Sequence, residues 1–300
     1  MNNRISDVGN VFSQRGPLKG FFKNAGTPVS FEASLQPIEA YVLSIQCPLD
    51  MDDFRTAIFS SGMEATDQKS HYGDSKDDII TRDELAAIFL YTMEFPSGFS
   101  FYTLVNDALR AEDRKCLKSF IDYLWLFMHA LRSCPSYQGP VVFRGLKIDI
   151  HASFVKDRVI TWHPFSSCTR DIAVDAFLGP VGPRNMFHIE LTTGRGRLIQ
   201  KYSQIKREQE VLLPPGSRFI VLGVASLGND LFMVHLRELP PTEVILSFDL
   251  AEASSAGISA SVSASVSAGV SAGVSASVSA GVSAAAAQGV TGQLSTLKMS

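Results

Sequence analysis

The feature that most constrains the fold is a change in hydrophobic periodicity near the middle of the chain. Between about Ser30 and Cys134, apolar residues recur three and four positions apart, as in amphipathic helices. From Val141 onward, short β-branched and aromatic runs alternate with Gly, Pro and Asn, which predicts strands. Helices followed by strands predict an α+β domain whose helices are segregated from its sheet.

Local signals assign the individual elements. A capping-box pattern at Thr81–Glu84 predicts the start of a helix that ends near Pro96. A second long helix is predicted by the stripe Cys116, Leu117, Phe120, Ile121, Leu124, Phe127, Met128 and Leu131. Strands are predicted over residues 141–144, 159–162, 186–191, 218–224 and 231–236, with a short helix over residues 172–178.

Composition divides the chain into three parts. From Ile258 a tetrad repeats, with a β-branched residue followed by Ser, Ala and then Ser or Gly, and this segment has little bulky side chain to bury. We therefore predict a disordered low-complexity tail over residues 251–300, although order induced by a partner stays open. Residues 1–29 are predicted to be a flexible N-terminal segment. Residues 30–250 are predicted to fold, with a helical part (30–135) and a β core (140–248).

Charge and cysteine placement exclude several functions. A net charge of −3 without a basic block argues against nucleic-acid binding. The four cysteines lack CxxC spacing, so neither a zinc site nor a disulfide framework is indicated. The acidic residues that follow Asp74 fail the spacing of a calcium-binding EF-hand loop. We predict no bound metal.

Hydropathy indicates where the chain resides. No segment has the run of about 18 apolar residues that a membrane-spanning helix needs. The N-terminus also lacks the apolar core of a signal peptide. The expectation is a cytoplasmic protein with no membrane span, and export without a leader remains an alternative.

Two carboxylates stand at alternating positions in Glu208-Gln209-Glu210, where an extended segment begins. Side chains two apart on a strand point to the same face, so both carboxylates can reach one pocket. Two negative charges so near each other are unfavourable unless a positive group binds between them. The pair predicts a substrate that is cationic, or that becomes cationic in its transition state.

Two further segments carry residues suited to chemistry. Arg144 ends an apolar strand and is followed by Gly145, so a guanidinium could hold phosphate while the backbone approaches a ligand closely. The run Ser166-Ser167-Cys168-Thr169 follows another strand, and its hydroxyls could orient a carboxylate or cap a helix. A nucleophilic role for Cys168 is disfavoured, because the sequence places no histidine to activate it.

Together these segments resemble the motifs of arginine-specific mono-ADP-ribosyltransferases. The order Arg144, then Ser167-Cys168-Thr169, then Glu208-Gln209-Glu210 matches the arginine, serine and glutamate-x-glutamate motifs of that family. LAAIFLYT, YTLVNDALR, RGL and KYSQIKREQEVLLPPGSRFIVL are also similar to the family. The resemblance covers about residues 30–240 and implies a helical part followed by a split mixed β-sheet that encloses an NAD cleft.

The resemblance implies a role for each motif. Glu210 would stabilise the oxocarbenium-like transition state as the nicotinamide–ribose bond of NAD⁺ breaks, and Glu208 would hold the acceptor arginine. Arg144, the Gly145 backbone and Ser167 would bind NAD, the substrate. Tyr202 and Arg207 would belong to the loop that recognises the acceptor protein. Residues 180–183 fall where the family has its phosphate-nicotinamide loop.

One departure and two alternatives accompany the resemblance. The family's commoner middle motif is Ser-Thr-Ser, whereas this chain keeps the first serine, Ser167, and continues with Cys168 and Thr169. An NAD glycohydrolase would use water as acceptor and would not require Glu208. A non-catalytic relative would bind a partner without chemistry, which the presence of Arg144 and Glu210 disfavours. The sequence does not separate NAD from NADP as donor.

Overall fold

The helical part comes first along the chain, as predicted. This computed structural model describes residues 18–23, 25–72, 79–170, 178–179, 181–205 and 209–248. Its α-helices within these ranges are α1 (Phe31–Ser44), α2 (Met51–Tyr72), α3 (Arg82–Thr92), α4 (Phe101–Arg110) and α5 (Ile121–Ser133). Short 3₁₀ segments occur at Lys19–Phe22, Arg114–Ser119, His151–Ser153 and Gln200–Tyr202.

Helix α3 begins at the capping box that the sequence predicts. The Thr81 hydroxyl accepts from the Glu84 N–H at 3.2 Å, and the Glu84 carboxylate accepts from the Thr81 N–H at 2.8 Å. The predicted end near Pro96 is wrong, because α3 stops at Thr92 and Met93 is already extended. Every residue from Glu84 to Thr92 is buried, so packing rather than an amphipathic stripe holds this helix.

The second predicted helix is divided. Arg114–Ser119 forms a 3₁₀ turn, Phe120 follows it, and α5 starts only at Ile121. The apolar stripe itself is confirmed, since Leu117, Phe120, Leu124, Phe127, Met128 and Leu131 are all buried in the helical core. The periodicity therefore predicted the buried face correctly and missed the break, because a 3₁₀ turn keeps side chains three apart on one side.

Within the described residues, one mixed sheet of eight strands follows the helices. The strands are β1 (Val141–Leu146), β2 (Val159–Trp162), β3 (Ser166–Thr169), β4 (Arg184–Glu190), β5 (Arg197–Leu198), β6 (Glu210–Leu213), β7 (Ser217–Gly228) and β8 (Leu231–Leu239). Their order in the sheet is β2-β7-β8-β4-β1-β3-β6-β5. Strands β4 and β8 pair in parallel and the other neighbours pair antiparallel. The predicted α+β class is confirmed.

The sheet is nearly divided between β1 and β3. Strands β1 and β4 pair over six positions, whereas β1 and β3 meet only at Phe143 and Thr169. We call the strands β2, β7, β8, β4 and β1 the long half, and β3, β6 and β5 the short half. This division agrees with the split sheet that the resemblance implies.

Two apolar clusters hold the domain together. The helical core contains the α-helices and also takes Phe165, Ile199, Tyr202 and Leu212 from the region of the short half. The sheet core lies among strands of both halves, with Val142, Phe187, Val211 and Leu236 fully buried. Alternating residues of β6 belong to different cores, so that strand lies between the two clusters.

The folded part begins earlier than predicted. Leu18 and Phe22 are buried in the helical core, and the Trp125 indole N–H donates to the Gly26 carbonyl at 2.7 Å. Residues 18–23 and 25–29 therefore join the helical part, which corrects the predicted boundary at residue 30. The first seventeen positions lie outside the described residues.

The C-terminal part of the chain forms a separate unit. The chain divides into two units, Met1–Leu250 and Ala251–Ser300. The second unit lies wholly outside the described residues, so its predicted disorder stays a prediction. The last described residue, Phe248, is buried and its carbonyl accepts from the Arg197 guanidinium at 2.8 Å.

Candidate active site

Ser167 and Glu210 meet on adjacent strands of the short half. Thr169 lies opposite Glu210 in the register of β3 and β6, and Ser167 shares the face of Thr169 because it is two residues away. The Ser167 hydroxyl donates to the Glu210 carboxylate, with 2.5 Å between Oγ and Oε1. Glu210 is fully buried. Since a buried carboxylate is costly without hydrogen bonds, this bond both stabilises and orients Glu210.

Arg144 reaches the same serine from the long half. Its Nη1 donates to the Ser167 backbone carbonyl at 2.7 Å, and the guanidinium carbon lies 5.9 Å from the centre of the Trp162 ring. Arg144 is 7% exposed, so the guanidinium is held by the protein and does not extend into water. Ser167 therefore bridges two opposite charges, accepting from the guanidinium and donating to the carboxylate.

The backbone at Gly145 lies against Leu178. A Cβ at Gly145 would come within 2.7 Å of Leu178 Cδ2, so the missing side chain permits this close approach. Leu178 ends the predicted short helix, whose residues 172–177 lie outside the described part of the chain. The absence of a side chain at Gly145 thus permits this packing independently of any contact with a ligand, and a larger residue would require Leu178 to shift.

Cys168 is buried on the opposite side of β3 from Ser167. Its side chain is fully buried in the sheet core, and burial raises the pKa of its thiol to about 12. A thiol with this pKa is protonated at neutral pH and is a poor nucleophile. The structure thus gives Cys168 a packing role in place of the family's commoner threonine.

The predicted acceptor loop is only partly exposed. Tyr202 lies in a 3₁₀ turn, is 6% exposed and belongs to the helical core. Its ring packs inside the domain, and its contact with an acceptor protein stays a prediction. Arg207 and Glu208 lie outside the described residues, as does Pro180 of the predicted phosphate-nicotinamide loop.

Two residues of the site were not anticipated from the sequence. Trp162 was predicted only as a strand residue, and the structure places its ring beside Arg144 and edge-on to Phe187. Leu178 was predicted only as the end of a short helix, and it packs on Gly145. Neither contact has a local signal, because each joins segments that are distant in sequence.

The described part of the chain holds neither a cluster of metal ligands nor a membrane-spanning helix. Within the described ranges, no group of three or more His, Cys, Asp or Glu side chains is placed to hold a metal ion. Among those same residues, no helix is long and apolar enough to cross a membrane.

The fold formed by the helical part and the mixed sheet is that of ADP-ribosyltransferases. The ADP-ribosyltransferase HopU1 of Pseudomonas syringae pv. tomato DC3000 superimposes with a TM-score of 0.50 at 20% identity, over 61% of this chain and 87% of HopU1. The model of the NAD:arginine ADP-ribosyltransferase family matches residues 63–241. The chain belongs to that family, whose members use NAD⁺ as a substrate.

Two further solved structures give lower TM-scores. The type III effector XopAI of Xanthomonas axonopodis pv. citri gives a TM-score of 0.46 at 21% identity, over 60% of this chain and 76% of XopAI. The Vis toxin, an ADP-ribosyltransferase from Vibrio splendidus, gives 0.44 at 19% identity, over 65% of this chain and 93% of Vis. A comparison with curated protein sequences gives no significant match.

Proposed function

We propose that this protein is a mono-ADP-ribosyltransferase that transfers ADP-ribose from NAD⁺ to an arginine of an acceptor protein. The observation that carries the proposal is the buried Ser167–Glu210 hydrogen bond beside the buried Arg144. Such a site keeps a negative charge in a fixed place, away from water, where a positive charge can develop opposite it.

The reaction breaks the bond between the ribose anomeric carbon and the nicotinamide nitrogen. NAD⁺ carries its positive charge on that ring, so nicotinamide departs neutral and takes the bonding electrons, and the leaving group needs no general acid. The sugar becomes oxocarbenium-like, as in glycoside hydrolysis. In this proposal Glu210 stabilises that cation, and Ser167 fixes the direction of its carboxylate.

Arg144 is proposed to hold the phosphate and ribose region of NAD⁺. A guanidinium suits phosphate oxygens because its donors lie in a planar fork. The Gly145 backbone is proposed to contact the nicotinamide amide. The bond from Arg144 to the Ser167 carbonyl supports this arrangement, because it keeps the binding group and the catalytic carboxylate next to the same residue.

Arginine as acceptor is supported by the family and by the position of Glu208. Glu208 stands two residues before Glu210, and a carboxylate there would hold the acceptor guanidinium and take its proton when the new C–N bond forms. Arg207 is proposed to belong to the same acceptor-binding segment. No metal ion takes part in this scheme, which the residues above carry alone.

The test is to incubate the protein with labelled NAD⁺ and agmatine, a small guanidine, and to separate the products. We expect ADP-ribosylated agmatine together with free nicotinamide. Free ADP-ribose as the sole product would replace the proposal with an NAD glycohydrolase. Untouched NAD⁺ would instead support a non-catalytic relative. Repeating the assay with NADP⁺ determines which dinucleotide is the donor.

A further inference from the structure

The C-terminal end of helix α3 contacts the segments that lead into both Ser167 and Glu210. The Tyr91 ring meets the Phe165 ring edge-on, with 5.6 Å between centres, and Phe165 lies two residues before Ser167. The next residue, Thr92, accepts from the backbone N–H of Gln204 at 3.0 Å. One helix end thus lies against both approaches to the site.

The loop that joins β5 to Glu210 is closed at its base. The Ile199 N–H donates to the Glu210 carbonyl at 3.3 Å, and Leu198 pairs with Val211. Within the loop, Tyr202 and Ser203 are buried, and the Ser203 hydroxyl accepts from the Ile205 N–H at 3.1 Å. The first part of this loop is therefore fixed to the helical core.

Thr92 is well suited to fix the position of Gln204. It is fully buried, and its hydroxyl donates its own proton to the Ile88 carbonyl at 2.9 Å. The oxygen is thereby oriented to accept from Gln204. Replacing threonine by valine preserves shape and removes the acceptor, which leaves the Gln204 amide without its partner at a partly buried contact.

We propose that Thr92 is a positioning residue for transfer to the acceptor. Gln204 stands four residues before Glu208, so the Thr92 bond sets the point from which the chain runs toward the proposed acceptor-binding carboxylate. Glu210 itself is held separately, by Ser167 and by strand pairing. Loss of the Thr92 bond should therefore weaken binding of the acceptor more than it slows the cleavage of NAD⁺. The inference rests on the proposed function.

The test compares Thr92→Val and Thr92→Ser in the full chain. For Thr92→Val we expect the KM for agmatine to rise about tenfold, while NAD⁺ cleavage in water changes by less than about twofold, since one partly buried hydrogen bond is lost. Thr92→Ser keeps the hydroxyl and should restore most of the agmatine KM. Equal falls in both activities, or no rescue by serine, would overturn the positioning role.

Thr66→Val is the matched control. Thr66 lies on α2, and its hydroxyl donates to the Gly62 carbonyl at 2.9 Å in the same way and accepts from Arg82 Nε at 3.4 Å, so its partners lie in the helical part. This variant should leave the agmatine KM unchanged. A rise similar to that of Thr92→Val would show that any loss of a helix threonine hydroxyl has the effect, and would overturn the inference.

Hydrogen exchange separates this inference from the proposed function. In the wild-type chain the Gln204 amide should be protected, and Thr92→Val should remove that protection while the amides of β6 keep theirs. Unchanged protection at Gln204 would overturn the inference even if the enzyme transfers to agmatine. Absence of agmatine transfer by the wild-type protein would overturn the proposed function, whatever the exchange data show.

Discussion

The long and short halves of the sheet hold the site in different ways. The long half contributes Arg144 from the middle of a strand that pairs along its whole length with β4. The short half contributes Ser167 and Glu210 from four-residue strands that are packed against the helical core through Phe165 and Leu212. The proposed NAD-binding group and the proposed catalytic group therefore depend on different surroundings, and Ser167 joins them.

The largest loss of activity is expected from a substitution in the short half. Glu210→Gln removes the buried charge and keeps the shape, so both transfer and NAD⁺ cleavage should fall about a hundredfold or more. Rates with labelled NAD⁺, with and without agmatine, measure this loss. Glu190→Gln is the control, because Glu190 is a half-exposed glutamate of the long half that pairs with Arg237. Retention of either activity by Glu210→Gln would show that another group stabilises the cation.

A smaller and more selective effect is expected at Glu208. Glu208→Gln should lower transfer to agmatine by more than about tenfold and leave NAD⁺ cleavage in water nearly intact, because only the acceptor needs this carboxylate. The measured quantity is the ratio of ADP-ribosylated agmatine to free ADP-ribose. A proportional fall in both products would contradict a role in choosing the acceptor.

The long half is tested by Arg144→Lys. A single ammonium cannot reproduce the planar fork, so the KM for NAD⁺ should rise about tenfold with a smaller change in kcat. Arg218→Lys is the matched control, since Arg218 also donates to a backbone carbonyl, that of Pro240, at 3.0 Å from an exposed position. A fall in kcat at unchanged KM would mean that Arg144 acts on the reacting carbon.

The smallest change in activity is expected on removal of the C-terminal tail, which belongs to neither half of the sheet. Truncation after Asp249 keeps Phe248 and every described strand, so agmatine transfer should stay within about twofold of the full chain. Initial rates of the two proteins at equal concentration provide the measurement. A large fall in activity would show that the tail supports the domain.

The sequence predicted the long half better than the short half. Strand β2 was predicted with its observed bounds, and β1, β4, β7 and β8 were found with end errors of a few residues, because β-branched, aromatic and other apolar residues recur in them. Strand β3, with the sequence SSCT, and the two-residue β5 were missed. Polar or very short strands have no periodic signal and form only when a partner strand supplies the register.

The candidate site was also predicted only in part. The motif order brought Arg144, Ser167 and Glu210 forward as candidates, and the structure brings them into contact through Ser167. The burial of Tyr202 was not predicted, because the polar residues around it in sequence do not indicate that its ring packs in the helical core. The contact between Thr92 and Gln204 was also missed, since it joins residues that are 112 positions apart.

The place of β8 in the sheet has a consequence for how the chain is made. This strand is the last of the eight in sequence, yet it lies between β7 and β4 and pairs in parallel with the latter. A nascent chain on the ribosome cannot complete the sheet until Leu239 has emerged, although the helical part can fold earlier. We therefore expect the enzyme to gain its activity only late in synthesis. Until β8 has joined the sheet, the site is incomplete and cannot act on the NAD⁺ of the surrounding cell.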